Sequence, residues 1–297
     1  MNAAQIQIGL RLRSIGFSLK PLQKDPRIYQ IVVLTSLLVY GILRLEFDVP
    51  TFQALLTLAT VLLTQYVCTN IFKLPKYDPR SALISGLSLC LLLRTNSLLL
   101  VGVTAFITIF SKFTLHYKGK HIFNPTNFGL IAMMLLTEQV WVSPGQWGST
   151  AFFGFLIACL GGLVVNRAWR SDVTYAFLGF YASLLLGRTL WLSDPLHIPF
   201  HQVQSGAFLI FTFFMISDPK TTPDSRVGRI LFAFLVAAGA FMIHFMLFRT
   251  NGLLWSLALF SLFVPLIDWL LPGNRYKWRT ISNQIIDERL IIQPQRH

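Results

Sequence analysis

Lys118-Gly119-Lys120-His121-Ile122-Phe123-Asn124-Pro125-Thr126-Asn127-Phe128-Gly129 is basic at its start and apolar at its end, with two amides, a hydroxyl and a proline between. Such a run turns the backbone and leaves polar groups pointing into a cavity. The surrounding chain is too apolar for these to be ordinary loop residues. Of its 297 residues 54% are hydrophobic and 12% charged, with a mean hydropathy of +0.59. A soluble domain carries about 25% charged residues. The stretch is therefore read as a polar interruption in a membrane protein.

Ten hydrophobic segments surround it, near 28–43, 51–72, 81–93, 97–111, 126–137, 150–167, 173–192, 203–217, 227–248 and 253–271. Crossing an apolar bilayer core takes roughly 20 helical residues, and several segments reach that length. Segments 81–93, 97–111, 126–137 and 203–217 are shorter, as broken or half-crossing helices around a midplane site are. Residues 1–27 alternate apolar and polar or basic positions. They read as an amphipathic, interfacial arm rather than a signal peptide.

Charge tests this topology. With ten crossings and a cytoplasmic N-terminus, all but four of the 25 Lys and Arg fall on inner segments; Arg44, Arg94, Arg188 and Arg249 fall outside. The alternation holds at every crossing, so both termini are expected inside. The same bias accounts for the net charge of +13. Nucleic-acid binding is excluded, because no basic cluster is interleaved with exposed aromatics. Cys68, Cys90 and Cys159 lie in apolar runs without metal or redox spacing and read as small hydrophobes.

A faint internal repeat joins Thr126-Asn127, opening segment five, to Thr250-Asn251, opening segment ten. An odd number of segments separates the two, so the halves, 28–148 and 149–272, are expected to have opposite orientation. Sites in such folds lie between the halves. Residues 273–297 form a cytoplasmic tail.

Four places hold polar groups at span ends. Asn124 and Asn127 must be hydrogen-bonded if buried. They either read the edge of a polar heterocycle or cap the helix that Pro125 begins. Asp218, in Ser217-Asp218-Pro219, is either the centre of a salt-bridged turn with Lys220, Arg226 and Arg229 in reach or a group that handles protons or ions. Asp78-Pro79-Arg80 opens a segment whose Ser81, Ser85, Gly86 and Ser88 either pack a helix closely or line a cavity. His197 and His201 have metal-ligand spacing on a helix, but Pro199 is expected to break that helix. His116 and His121 read as solvated. No triad, phosphate loop, dinucleotide fingerprint or zincin motif is present, so no catalytic or metal-ligating residue is assigned.

The run Lys118 to Pro125 resembles the RnfD/NqrB family, flavin-carrying membrane subunits of Rnf and sodium-pumping NADH:quinone oxidoreductase complexes. So do Phe213-Phe214-Met215-Ile216-Ser217-Asp218-Pro219-Lys220-Thr221-Thr222-Pro223 with Gly228-Arg229, and the region Asp78 to Leu87. Together they cover roughly residues 70 to 270. The resemblance implies an all-α integral membrane fold of about ten transmembrane helices in two inverted five-helix repeats, similar to urea transporters, with several short or broken helices. It also implies an inner-membrane location and an electron-transport role beside other redox subunits or quinone. A flavin would be held around Asn124, Thr126, Asn127 and Asp218.

One departure matters. The family esterifies its flavin to the threonine of a Ser-Gly-Ala-Thr motif in the outer loop after segment five. Here that loop ends Gly148-Ser149-Thr150-Ala151, and Ser205-Gly206-Ala207-Phe208 carries Phe in place of the acceptor. The expectation is therefore a flavin (FMN or riboflavin) held without a covalent bond. Two other readings stay open: a transporter or channel-like protein for a small solute or ion, and an accessory membrane protein of a biosynthetic cluster.

Overall fold

Long apolar runs free of proline become long helices, and each polar or proline-bearing interruption ends one. The computed structural model describes residues 25–44, 49–142, 171–203 and 205–276. The first half holds α1 (Pro26–Arg44), α2 (Thr51–Ile71), α3 (Arg80–Leu92), α4 (Leu98–Thr114) and α5 (Pro125–Leu136). The second half holds α6 (Ser171–Leu192), α7 (His197–Val203), α8 (Gly206–Ile210), α9 (Arg226–Phe245), α10 (Gly252–Ser261) and α11 (Val264–Leu270). The arm before residue 25, the segment expected near 150–167, Thr150 and the tail beyond 276 lie outside the described residues.

This is an all-α, multi-pass membrane fold. Four helices, α1, α2, α6 and α9, are long and apolar enough to cross a bilayer, and α10 with α11 forms a fifth candidate bent by 50°. Their outward faces are apolar; Trp191 on α6 and Trp269 on α11 are 87% and 75% exposed. In water such a surface would aggregate, whereas lipid covers it. The expected count of ten crossings is not reached among the described residues, because α3, α4, α5 and α8 are too short to cross alone.

The short helices are completed by other backbone. At about 1.5 Å per residue, α3 and α5 reach only some 20 Å. Each then runs on into an extended pair of residues, β1 (Leu93–Arg94) and β4 (Trp141–Val142), which pair antiparallel with Leu93 opposite Val142. Backbone that leaves a helix inside a membrane must find partners within the protein, and this two-residue ladder supplies them. A second ladder, β2 (His116–Tyr117) with β3 (Lys120–His121), forms the hairpin before α5, and Lys118 and Gly119 turn it with positive φ.

After α8 the chain loosens into one π-helical turn, Phe211–Met215. Such a turn displaces backbone carbonyls from the regular ladder. Two of them accept side-chain bonds, Thr212 O from Thr174 and Met215 O from Asn124. Packing follows the same order in both halves: α2 lies on α4 and α4 on α5, while α6 lies on α9 and α9 on α10. Helices α5 and α10 then meet across the halves.

One end of the molecule gathers the charges that the sequence assigned to the inner side. Asp25, Arg27, Asp78 and Arg80 form one network, Lys120 bridges Asp224 and Asp268, and Arg229 pairs with Asp172. Burial works against the Asp78 carboxylate, but hydrogen bonds from Arg80 and the charge of Arg27 outweigh it and hold its pKa at about 2. Pro199 does not break its helix: α7 starts at His197, which puts Pro199 in the first turn, where no intrahelical acceptor awaits its missing N–H.

Candidate functional site

The opening stretch, the Asp218 turn and the Ser81 helix are far apart in sequence, and the fold brings them to one cavity of about 240 Å³ at the charged end. Asn124, Pro125 and Thr126 enter it from the start of α5. Ser81, Ser85 and Ser88 enter from α3, and Phe214, Met215, Ser217 and Asp218 from the end of the π turn. Arg27, Lys112 and Lys220 supply its cations, with the His121 ring beside them.

Asn124 takes the capping role and adds a contact of its own. Its Oδ1 accepts from the Asn127 N–H at 3.2 Å, which caps α5 ahead of Pro125 at the first helical position. Its Nδ2 donates to Met215 O and to Asp218 Oδ2, each at 3.4 Å, so the cap also fastens the cavity wall. Thr126 donates to Ser85 O, linking α5 to α3. Asp218 Oδ1 accepts from the Lys220 backbone N–H, and Asp218 O accepts from Thr221 and Thr222. That is a turn built on the aspartate itself; Arg229, expected within its reach, pairs with Asp172 instead.

Asn127 is not on the cavity. It is fully buried, donates Nδ2 to Leu254 O at 3.2 Å, and leaves its Oδ1 without a hydrogen-bond partner. Of the four residues expected to hold a flavin, three therefore converge and one joins α5 to α10. The small face of α3 is both cavity and contact: its serines line the space, while Gly86 lies against Val61 and Leu58.

The sequence does not mark Lys112 or His121 as residues of this site. Lys112, 8% exposed, donates to Gln65 Oε1 at 2.8 Å and to Ser81 Oγ at 2.7 Å. Its only signal in the sequence is a lone lysine that closes an uncharged run from Thr95, a pattern that reads as an inner-side charge. His121 is not a solvated loop residue. Its ring lies 4.9 Å from that of His116, and its Nδ1 is buried without a hydrogen-bond partner. Burial, followed by the charges of His116, Lys112 and Lys220, pushes its imidazole down to about 3, so it is neutral near pH 7. Burial likewise lowers Lys220, against the charge of Asp218. Among the described residues no three His, Cys, Asp or Glu side chains converge as a metal site would need.

The residues do not fit a flavin in the way the resemblance implies. Sites that enclose a drug-sized ligand run to roughly 300–1,000 Å³, and this cavity is smaller. The Asn124 amide and the Thr126 hydroxyl are engaged with protein partners, and Asn127 is elsewhere.

Residues 136–277 match the model of the NQR2, RnfD, RnfE family. The match includes the Phe213–Pro223 run, while Lys118–Gly129 and Asp78–Leu87 precede it. Similar curated proteins are ion-translocating oxidoreductase complex subunits D. That of Alcanivorax borkumensis is 30% identical over 44% of this chain and 37% of its own length. That of Erwinia tasmaniensis is 32% identical over 45% and 37%. That of Escherichia coli O6:H1 is 30% identical over 42% and 39%. The chain thus spans about two fifths of the length of the curated relatives it matches. The resemblance carried by the motifs is borne out, and residues 136–277 are similar to the NQR2, RnfD, RnfE family.

Proposed function

We propose that the chain acts as a multi-pass membrane subunit of an electron-transport assembly, as the names of its relatives indicate for them. One observation carries the reading: the family-matched run through Asp218 forms one wall of the polar cavity, fastened by Asn124 to the stretch that opens α5. The chain has no motif for a soluble NADH site, so partner subunits or quinone bring the electron-carrying groups. No electron is routed through the cavity itself.

The charged end faces the cytoplasm in this reading and the membrane is the inner membrane, because the inner-side cations gather there. The reciprocal packing of α5 and α10 supports two inverted halves with the cavity near their junction. Affinity purification from native membranes tests the role. Redox subunits carrying flavin or iron–sulfur groups are expected to co-purify. A chain that purifies alone, carries no flavin absorbance and drives solute uptake into reconstituted vesicles would make it a transporter instead.

A further inference from the structure

The charges around the cavity do not balance. The Arg27 guanidinium is matched by Asp25 and Asp78, within a network that also holds Arg80. What remains on the lining is two ammonium groups, Lys112 and Lys220, against the Asp218 carboxylate. Both Asp218 oxygens already accept hydrogen bonds, from Lys220 N and Asn124 Nδ2.

One positive charge is left over, and of the two ammonium groups Lys112 is the more deeply buried. Its two hydrogen-bond partners are neutral oxygens, and among the described residues it forms no ion pair. The carbonyl end of α4 offers it about half a negative charge. A buried ammonium needs a full counter-charge or a strong reason to be there. Two further features add positive potential. The first turns of the half-length helices α3 and α5 both border the cavity, at Ser81 and at Asn124–Thr126. Half-helices that start at a cavity present their positive ends to anionic groups.

Donors are also in excess. Lys112 keeps its third N–H, and Ser81 accepts from Lys112, which leaves the serine hydroxyl hydrogen free to donate. We propose that this cavity binds a small, singly charged oxyanion, a carboxylate or a phosphate group, seated between Lys112, Ser81 and the first turn of α5. The anionic group comes from a free solute or from a lipid headgroup. The site does not depend on membership of a redox assembly.

The full-length chain, purified in detergent, is titrated calorimetrically with acetate, with inorganic phosphate and with short-chain phosphatidylglycerol. Saturable one-to-one binding of at least one probe is expected. Lys112→Met should weaken it at least about tenfold, the loss of one charge-assisted hydrogen bond, while the exposed hairpin variant Lys118→Gln keeps it. If Lys112→Met does not fold, Ser81→Ala should show the loss, since it removes a donor and keeps the charge. Binding of the soluble ions identifies a solute site, and binding of the lipid alone identifies a headgroup site. No saturable binding of any probe, or equal binding in the Lys112 and Ser81 variants, overturns the proposal, whatever the affinity purification shows.

Discussion

Asn127 donates its side-chain amide to the Leu254 carbonyl at 3.2 Å and so ties the short helix of one half to that of the other. Asn251, its counterpart in the repeat expected from the sequence, reaches back to Met134 Sδ at 3.6 Å. Each half thus places one asparagine on the partner's short helix, as a twofold between the halves would require. The two bonds are unequal, because a thioether is a weak acceptor. Asn127→Ala is expected to cost about 1–2 kcal/mol, a buried hydrogen bond offset by removal of the orphaned Oδ1. Asn251→Ala should cost less. Thermal unfolding in detergent measures both, and an Asn127→Ala protein as stable as the parent would show that the bond holds nothing together.

Acid should find His121 before it finds Asp78. An unfolded histidine takes a proton near pH 6.5, while folded His121 resists protonation down to about 3. Between those values the unfolded chain binds the extra proton. Stability is therefore fully present above pH 6.5 and falls as the pH drops toward 3, by at most about 1.4 kcal/mol per pH unit for this one group. Asp78 contributes at lower pH, because its pKa of about 2 lies below the 3.8 of a free aspartate. Its contribution is present above 3.8 and is lost as the pH falls through 2. His121→Gln should flatten the melting-temperature profile between pH 6.5 and 4 and leave the steeper acid limb. An unchanged profile would mean that His121 takes up its proton without cost in the fold.

Much of this was legible in the sequence because membrane folding punishes ambiguity. The apolar runs, the gathering of Arg27, Lys112 and Lys220 at one end, and the capping role of Asn124 follow from local rules. The family resemblance implies that Asn124 and Asp218 share a site, and the fold adds Ser81 to them. Lys112 and Asn127 show where such reading stops. A lysine at the end of a helix looks the same whether it reaches solvent or turns inward to Gln65, since that contact is 47 residues away. Asn127, three residues after a capping asparagine, has no local mark of a partner 127 residues on. Both depend on which helices are neighbours, and apolar helices of similar length do not announce that.

Gly129 shows the same dependence on neighbours. A Cβ there would run into the side chain of Thr108 on α4, whose buried hydroxyl has no hydrogen-bond partner. Gly129→Ala should destabilise by about 1–3 kcal/mol through overpacking. Thr108→Ala alone removes an unsatisfied hydroxyl and should be close to neutral, and combined with Gly129→Ala it should recover part of the loss. The coupling is read from the double-mutant cycle. Strictly additive effects would place the strain somewhere other than this contact.

The pair Asp172–Arg229 fixes α6 to α9 at the charged end. Arg229 donates from Nε at 2.8 Å and from Nη2 at 2.5 Å to the same oxygen, Asp172 Oδ2, and from Nη1 to Asp224 O. Both side chains are nearly buried, 11% and 15% exposed. Removing one partner of such a pair strands the other charge, which costs about 3–5 kcal/mol, whereas replacing both with apolar groups is often neutral. Asp172→Leu should therefore be severely destabilising, and Asp172→Leu with Arg229→Met should regain most of the loss. Thermal melts of the two single variants and the double variant give the coupling. If Asp172→Leu melts with the parent, the pair adds nothing to the packing of α6 on α9, and the apolar contacts between those helices hold them alone.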